Sequence, residues 1–365
     1  MHKRAQGRQR VLSEFAEIVE KSGAVPLGWA GSTEKMDYLN FGDALSPVMV
    51  ALCSGRHVER VPFASKTPRL AAVGTIGHGF SGGKVWFWGT GCSPWLNPGK
   101  AGAEKIPYAP PADTTIEIRA TRGRVSEQLL SGGKGGPGVY GDPVWLLPRF
   151  YAPPTEKKYE LGVILHLSEL TDRALDVHFN EQLARYEAPD ELSGQIRIIN
   201  TVTRIGVDPM REKLDEILSC KRLVSTSLHG MVFAESYKIP CLYFAPHSQN
   251  GAGLKSGVEE AKAVLSNELD QRVADLYSGL GKARFPVYVQ PRTRRTDWEA
   301  LIAAIDGAWS PVDLDGDALL DALPVKANPV SAPAGGTVFD LPLIRGLTLQ
   351  HDVKSLKQAD ARRHK

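Results

Sequence analysis

Apolar residues in this chain recur at two spacings, one helical and one extended. Val11, Leu12, Phe15, Ile18 and Val19 fall on one face of a helix, and residues 43–53 read as a second. Apolar runs at 70–76, 84–89 and 115–120 predict strands, and 125–130 a helix. The glycine-rich stretch 131–141 predicts a mobile loop, before a short apolar segment at 142–148. Pro153-Pro154-Thr155-Glu156-Lys157-Lys158 is polar, short and proline-containing, which marks a linker. Beyond it the alternation restarts, with strands at 161–167, 196–202, 222–226 and 241–245. Helices are predicted at 179–186, 209–220, 231–237, 258–280 and 297–309. Strands alternating with helices in both halves imply an α/β fold of two parallel-sheet domains, 1–152 and 153–310. Residues 311–365 turn Pro/Ala/Gly-rich and then charged, and read as a partly irregular extension. A cleft between two such domains is the natural ligand site.

Composition narrows the partners. At 365 residues the chain exceeds what one core usually serves, which supports two domains. A net charge of +3 is too small to make nucleic acid the main partner. No apolar run is long enough to cross a bilayer. The basic start, MHKRAQGRQR, runs into an amphipathic pattern, not an apolar signal core. Cys53, Cys92, Cys220 and Cys241 are scattered with no CxxC, which argues against zinc and for a reducing, cytoplasmic setting. No metal and no cofactor is expected.

The most informative stretch is 222–246, where an apolar run ends in Ser227-Leu228-His229-Gly230, a short helix follows, and Ile239-Pro240 opens a second run. That pattern puts His229 and the hydroxyls of Ser225, Thr226 and Ser227 at a strand's carboxyl end, where open α/β sheets bind ligands. The N–H groups opening the next helix suit an anion. His166 ends another strand in the same half. Histidine can donate to an anion or move a proton near neutral pH. A Ser–His nucleophile pair is discounted, because no GxSxG elbow is present.

Other motifs are weaker. Gly77-His78-Gly79-Phe80-Ser81-Gly82 matches GxGxxG, but a strand follows where a dinucleotide fold needs a helix, so it reads as a glycine loop with His78 as a minor contact. Gly132-Gly133-Lys134-Gly135-Gly136 lacks the Ser/Thr and helix of a P-loop. Asp43, after Asn40-Phe41-Gly42, reads equally as a helix cap and as a catalytic carboxylate. Among Arg119, Arg122 and Arg124, which follow a strand, Arg122 before Gly123 is the favoured anion contact.

Taken in order, Asn40-Phe41-Gly42-Asp43, Gly74-Thr75-Ile76, Trp88-Gly89-Thr90-Gly91, Arg122-Gly123, Gly141-Asp142-Pro143 with Leu146-Leu147-Pro148, His166, and Ser227-Leu228-His229-Gly230 with Ile239-Pro240 resemble the polysaccharide pyruvyltransferase family, in its exopolysaccharide ketal-forming branch. The resemblance implies two Rossmann-like domains in a GT-B-like arrangement around an interdomain cleft. It implies phosphoenolpyruvate as donor and a sugar of a cell-surface glycan as acceptor. Acceptors in this family are commonly lipid-linked, which leaves peripheral contact with the inner membrane face open. On this reading His229 with Ser225 and Ser227 holds the phosphate, Arg122 anchors an anion, and Asp43 serves as base or acid. His166 is a second donor, and Gly89 and Gly91 line the substrate. Many members read Arg-Leu-His where this chain has Ser227-Leu228-His229, so Arg122 or Arg204 is the expected substitute cation. Two alternatives share the sequence features, a nucleotide-sugar glycosyltransferase and a non-enzymatic carbohydrate-binding protein. The sequence leaves the oligomeric state open.

Overall fold

The computed structural model describes residues 14–100, 102–246, 255–265 and 269–364. The chain divides into two compact units. One holds the residues up to Asp37, Asp43–Tyr151 and Leu314 onward, and the other holds Tyr38–Gly42 with Ala152–Asp313. Residues 314–364 therefore belong to the first unit, with short helices at Gly316–Asp321, Pro342–Arg345 and Val353–Arg362.

The first unit is built on five parallel strands in the order His57–Arg60, Ala24–Gly28, Arg69–Ala71, Gly83–Phe87, Thr114–Ile118. Ala71, Ile76, Phe80, Val85, Phe87, Cys92 and Leu130 form one of its cores. The amphipathic face near the N-terminus takes the helical form over residues 14–22, where Phe15 and Val19 are buried and Phe15 packs on Trp86 at 4.6 Å. Val11 and Leu12 of that face, and the basic leader, lie outside the described residues. Two strands of this sheet, Ala24–Gly28 and His57–Arg60, are not predicted from the pattern.

The second unit carries six strands in the order Gly257–Lys262, Arg284–Gln290, Cys241–Pro246, Leu223–Ser225, Leu161–Leu165, Ile196–Asn200. All pair in parallel except the first, an antiparallel edge. The strand residues Leu161, Val163, Leu165, Val224, Leu242, Phe244 and Tyr288 pack with Trp298, Leu301 and Ile305. The segment Tyr38–Asn40 joins this unit by pairing antiparallel with Val202–Arg204. Phe41 then stacks on Phe233 at 5.1 Å.

Two predicted helices are corrected. The 258–280 stretch divides into the edge strand Gly257–Lys262 and a helix at Gln271–Gly279 capped by Asp270. Charged, exposed Glu259, Glu260 and Lys262 suit an edge that must resist further pairing. The 179–186 stretch is helical only as a 3-10 turn at Ala184–Tyr186. There Arg185, fully buried, donates to both oxygens of Glu169 at 3.0 Å and to the Tyr186 hydroxyl at 2.6 Å. A buried guanidinium needs those partners, and meeting them sets the local chain path. All four cysteines are free and buried. Among the described residues no helix is long and apolar enough to cross a membrane.

Candidate active site

In the second unit, strands Leu161–Leu165 and Leu223–Ser225 run in parallel and end side by side. Their carboxyl ends are stitched together, since Thr226 N–H donates to Ile164 O at 3.0 Å and His166 N–H donates to Thr226 Oγ1 at 2.9 Å. Ser227 caps the helix Leu228–Ser236 by position, without a side-chain capping bond. His229 is that helix's second residue, so the strand end and the helix start both bear on it. It is 7% exposed, and a Cβ on Gly42 would stand 2.1 Å from its Nδ1. Only glycine at 42 leaves room for the imidazole.

His166 sits at the same edge. Its Nε2 lies 3.0 Å from Arg272 Nη1 and its Nδ1 lies 2.7 Å from Ser168 Oγ. A guanidinium can only donate, so Nε2 is an acceptor toward Arg272, while Ser168 N–H donates to Nδ1 at 3.2 Å. Burial, helped by the Arg272 charge, pushes His166 down to about 4. Arg272 also grips Asp270, through Nε at 3.0 Å and Nη2 at 2.5 Å, and its side chain is 32% exposed.

The first unit has its own crossing of loops where its strands end. Gly91 N–H donates to Gly74 O at 2.9 Å, Arg122 N–H to Thr90 O at 3.2 Å, and Gly141 N–H to Thr121 O at 2.9 Å. Arg122 is 1% exposed and donates from Nη1 to Thr75 Oγ1 at 2.7 Å. A Cβ on Gly91 would fall 2.2 Å from that Nη1. Asp43 is half-buried in the first turn of the helix Phe41–Ser54, and a Cβ on Gly74 would stand 3.0 Å from its Oδ1. Asp142 is wholly buried and its Oδ1 accepts from Val144 N–H at 3.0 Å, opening the 3-10 helix Pro143–Arg149. Burial pushes the Asp142 carboxyl up to about 7, against the pull of Arg122 and with help from the Asp43 charge.

These two loop-bearing edges fall largely within one stretch, and a family model for polysaccharide pyruvyl transferase covers it. Residues 76–248 match that polysaccharide pyruvyl transferase model. Searches of curated proteins and of solved structures find no match. The matched stretch contains Arg122, Asp142, His166, Ser225, Ser227 and His229, while Asp43 precedes it and Arg272 follows it.

Several expected roles change. Ser225 is fully buried, and its hydroxyl lies 3.0 Å from Ile164 O and 2.9 Å from Ser227 O while accepting from Ser227 N–H at 2.9 Å. Its one proton is committed to a backbone carbonyl, so it holds the turn instead of a phosphate. Burial and the Arg272 charge lower the proton affinity of His166, and its Nε2 accepts from Arg272, which counts against its expected part as a second proton donor. Arg204 is 66% exposed and pairs with Glu212 at 3.6 Å, out on the strand Val202–Arg204, so it does not replace a cation at position 227. Gly89, at φ 75°, lets Gly141 O and Pro143 approach, since a Cβ would lie 2.6 Å from the former, and Gly91 makes room for Arg122. Both are needed for this packing. His78 accepts from Ser93 N–H at 3.4 Å on the 3-10 turn Gly77–Gly79. Asp43 lies inside its helix and not at the cap, because that helix begins two residues earlier, at Phe41.

Sequence reasoning missed Arg272 and the chemical part of Asp142. Arg272 gave no signal, standing in a stretch read as one long helix. Asp142 before Pro143 reads as an ordinary helix opening, and only the burial around it reveals a perturbed acid. Among the described residues no cluster of three His, Cys, Asp or Glu side chains is placed to hold a metal.

Proposed function

We propose that the protein transfers the pyruvyl group of phosphoenolpyruvate to two hydroxyls of a saccharide, forming a cyclic ketal and releasing phosphate. The saccharide belongs to a cell-surface polysaccharide or its lipid-linked precursor. The family match over residues 76–248 is the observation that carries this reading. It is supported by a histidine at a helix start beside the carboxyl end of a parallel strand.

The reaction breaks the enol C–O bond to phosphate and forms two C–O bonds to the acceptor. Of the two hydroxyl protons released, one ends on the methylene carbon and one on phosphate. In this reading His229, with the backbone N–H groups opening its helix, receives the phosphate and hands it a proton as it leaves. Arg272, oriented by Asp270 and by neutral His166, supplies positive charge at that same edge. Asp43 accepts a proton from an acceptor hydroxyl.

The test is acceptor-dependent phosphate release from phosphoenolpyruvate, together with an acceptor mass raised by one pyruvate less one water. His229→Ala should lower turnover by about 10²–10⁴-fold while leaving the melting temperature close to that of the parent. Turnover close to the parent's would remove His229 from the mechanism. Thermal stabilisation by a UDP-sugar and none by phosphoenolpyruvate would replace the donor.

A further inference from the structure

One surface of the first unit is apolar without being packed. Past the strand Gly83–Phe87 the chain forms two antiparallel arms, 94–98 and 104–108, joined by the bridge between Trp95 and Pro107. Leu96 N–H donates to Ile106 O at 2.8 Å, which sets these two residues opposite each other with their side chains on one face. Leu96 is 45% exposed and Ile106 53%. No charged residue stands from 106 to 112, where Ile106, Pro107, Ala109, Pro110 and Ala112 are exposed. Tyr108 roots the arms by packing on the core of the unit. The backbone of the arms is also spent internally. Trp95 N–H donates to Ser93 Oγ at 3.0 Å, Ile106 N–H to Asn97 Oδ1 at 2.9 Å and Tyr108 N–H to Pro94 O at 2.7 Å. Asn97 Nδ2 donates to Glu104 O at 2.8 Å, and Lys105 Nζ to Pro98 O at 3.0 Å and Lys100 O at 3.4 Å. Pro94, Pro98 and Pro107 have no N–H to satisfy.

We propose that these arms are an interfacial anchor, which lays Leu96 and Ile106 into an anionic lipid surface and sets Lys100 and Lys105 among the headgroups. Leaving water is costly for a backbone group without a partner, and the arms have already paired theirs. A partner chain adding itself as a strand would need free N–H groups along an edge, and the prolines withhold them. Charge points the same way, since Lys100 and Lys105 stand against one acid, Glu104. An aliphatic pair, half-buried Trp95 and Tyr108, and lysines at the turn follow the layering of a bilayer surface from hydrocarbon to phosphate. The anchor does not rest on the proposed reaction, and its test needs no turnover.

That test is flotation of the full chain with vesicles of phosphatidylcholine, alone or mixed with phosphatidylglycerol. The parent should float with the mixed vesicles, less with phosphatidylcholine alone, and less again as sodium chloride is raised. Leu96→Glu with Ile106→Glu should lower the partition coefficient by about tenfold or more. Both side chains are exposed, so the melting temperature of this double variant should stay close to that of the parent. A second measurement places the contact. Lipids brominated in the acyl chains should quench the tryptophan emission of the parent, and Trp95→Phe should remove most of that quenching. If the parent stays off the mixed vesicles, or the double variant floats as well as the parent, the inference is overturned. It is equally overturned if the parent ignores vesicles but self-associates and the double variant does not, because the face then meets a second copy of the chain. Flotation without turnover of phosphoenolpyruvate would sink the proposed reaction and keep the anchor.

Discussion

Gly42 has no side chain because His229 needs the volume. Alanine suits a helix better than glycine, so the backbone would accept Gly42→Ala, and the strain would fall on the ring whose Nδ1 would be 2.1 Å away. Displacing a reacting group by about 1 Å can cost about 10²-fold in rate. Gly42→Ala should therefore cut turnover by about that factor with little change in far-UV circular dichroism, and a rate within twofold of the parent would mean His229 is not in the reacting set. At this scale the sequence was partly readable. His229 and Asp43 announce themselves by standing at the ends of apolar runs. Ser225, two residues from a helix start, looked identical in kind to Ser227, and only its carbonyl partners separate the two. Arg122 likewise reads as an exposed clamp until its burial is known.

Among elements, the helix Val207–Leu218 ends on carbonyls that a lysine from the presumed linker satisfies. Lys157 Nζ donates to Leu218 O at 2.6 Å and to Cys220 O at 3.0 Å. A cation on the last carbonyls of a helix meets both the open acceptors and the negative end of the dipole. Lys157→Met should lower stability by about 1 kcal/mol, read as a smaller denaturant midpoint at unchanged slope. The linker residues thus do structural duty that composition alone does not suggest. Two of the missed strands share a cause. Ala24–Gly28 and Arg284–Gln290 each contain a proline, at Pro26 and Pro286, which argues against a central strand. The strands that were legible, such as Leu161–Leu165 and Cys241–Pro246, are continuous apolar runs, as a parallel sheet covered on both faces demands.

For the whole molecule, three groups, Asp142 buried and His166 and His351 half-buried, shape stability against pH in opposite senses. Burial and the nearby Arg60 push His351 down to about 4, as burial and Arg272 do for His166. The unfolded chain takes up these two protons near pH 6.5 and the folded protein resists until near 4, so their stability is present above about 6.5 and lost as pH falls through 4. Asp142 works the other way. Its raised affinity stabilises fully below the ordinary 3.8 and is lost as pH rises through about 7. Two histidines outweigh one carboxyl below about 6.5, so the melting temperature should rise from acid pH and level off near pH 7. His166→Gln should flatten the acid side, and Asp142→Asn the neutral side. A melting temperature that falls steadily from about pH 5 to about pH 6.5 would contradict these assignments.

The first unit draws on both halves of the chain. Trp88 Nε1 donates to Leu319 O at 2.7 Å and Arg149 to Asp317 at 2.6 Å, across sequence separations of 231 and 168. During synthesis the ribosome must therefore finish all of Ala152–Asp313 before those supports exist. The later-numbered unit, apart from the short strand at Tyr38–Asn40 already made, can close first, and the earlier one waits unfinished with an indole unanchored. Birth order along the polypeptide is thus the reverse of completion order, and a chain cut short after Asp313 would leave the nascent product's front half as the piece chaperones must guard.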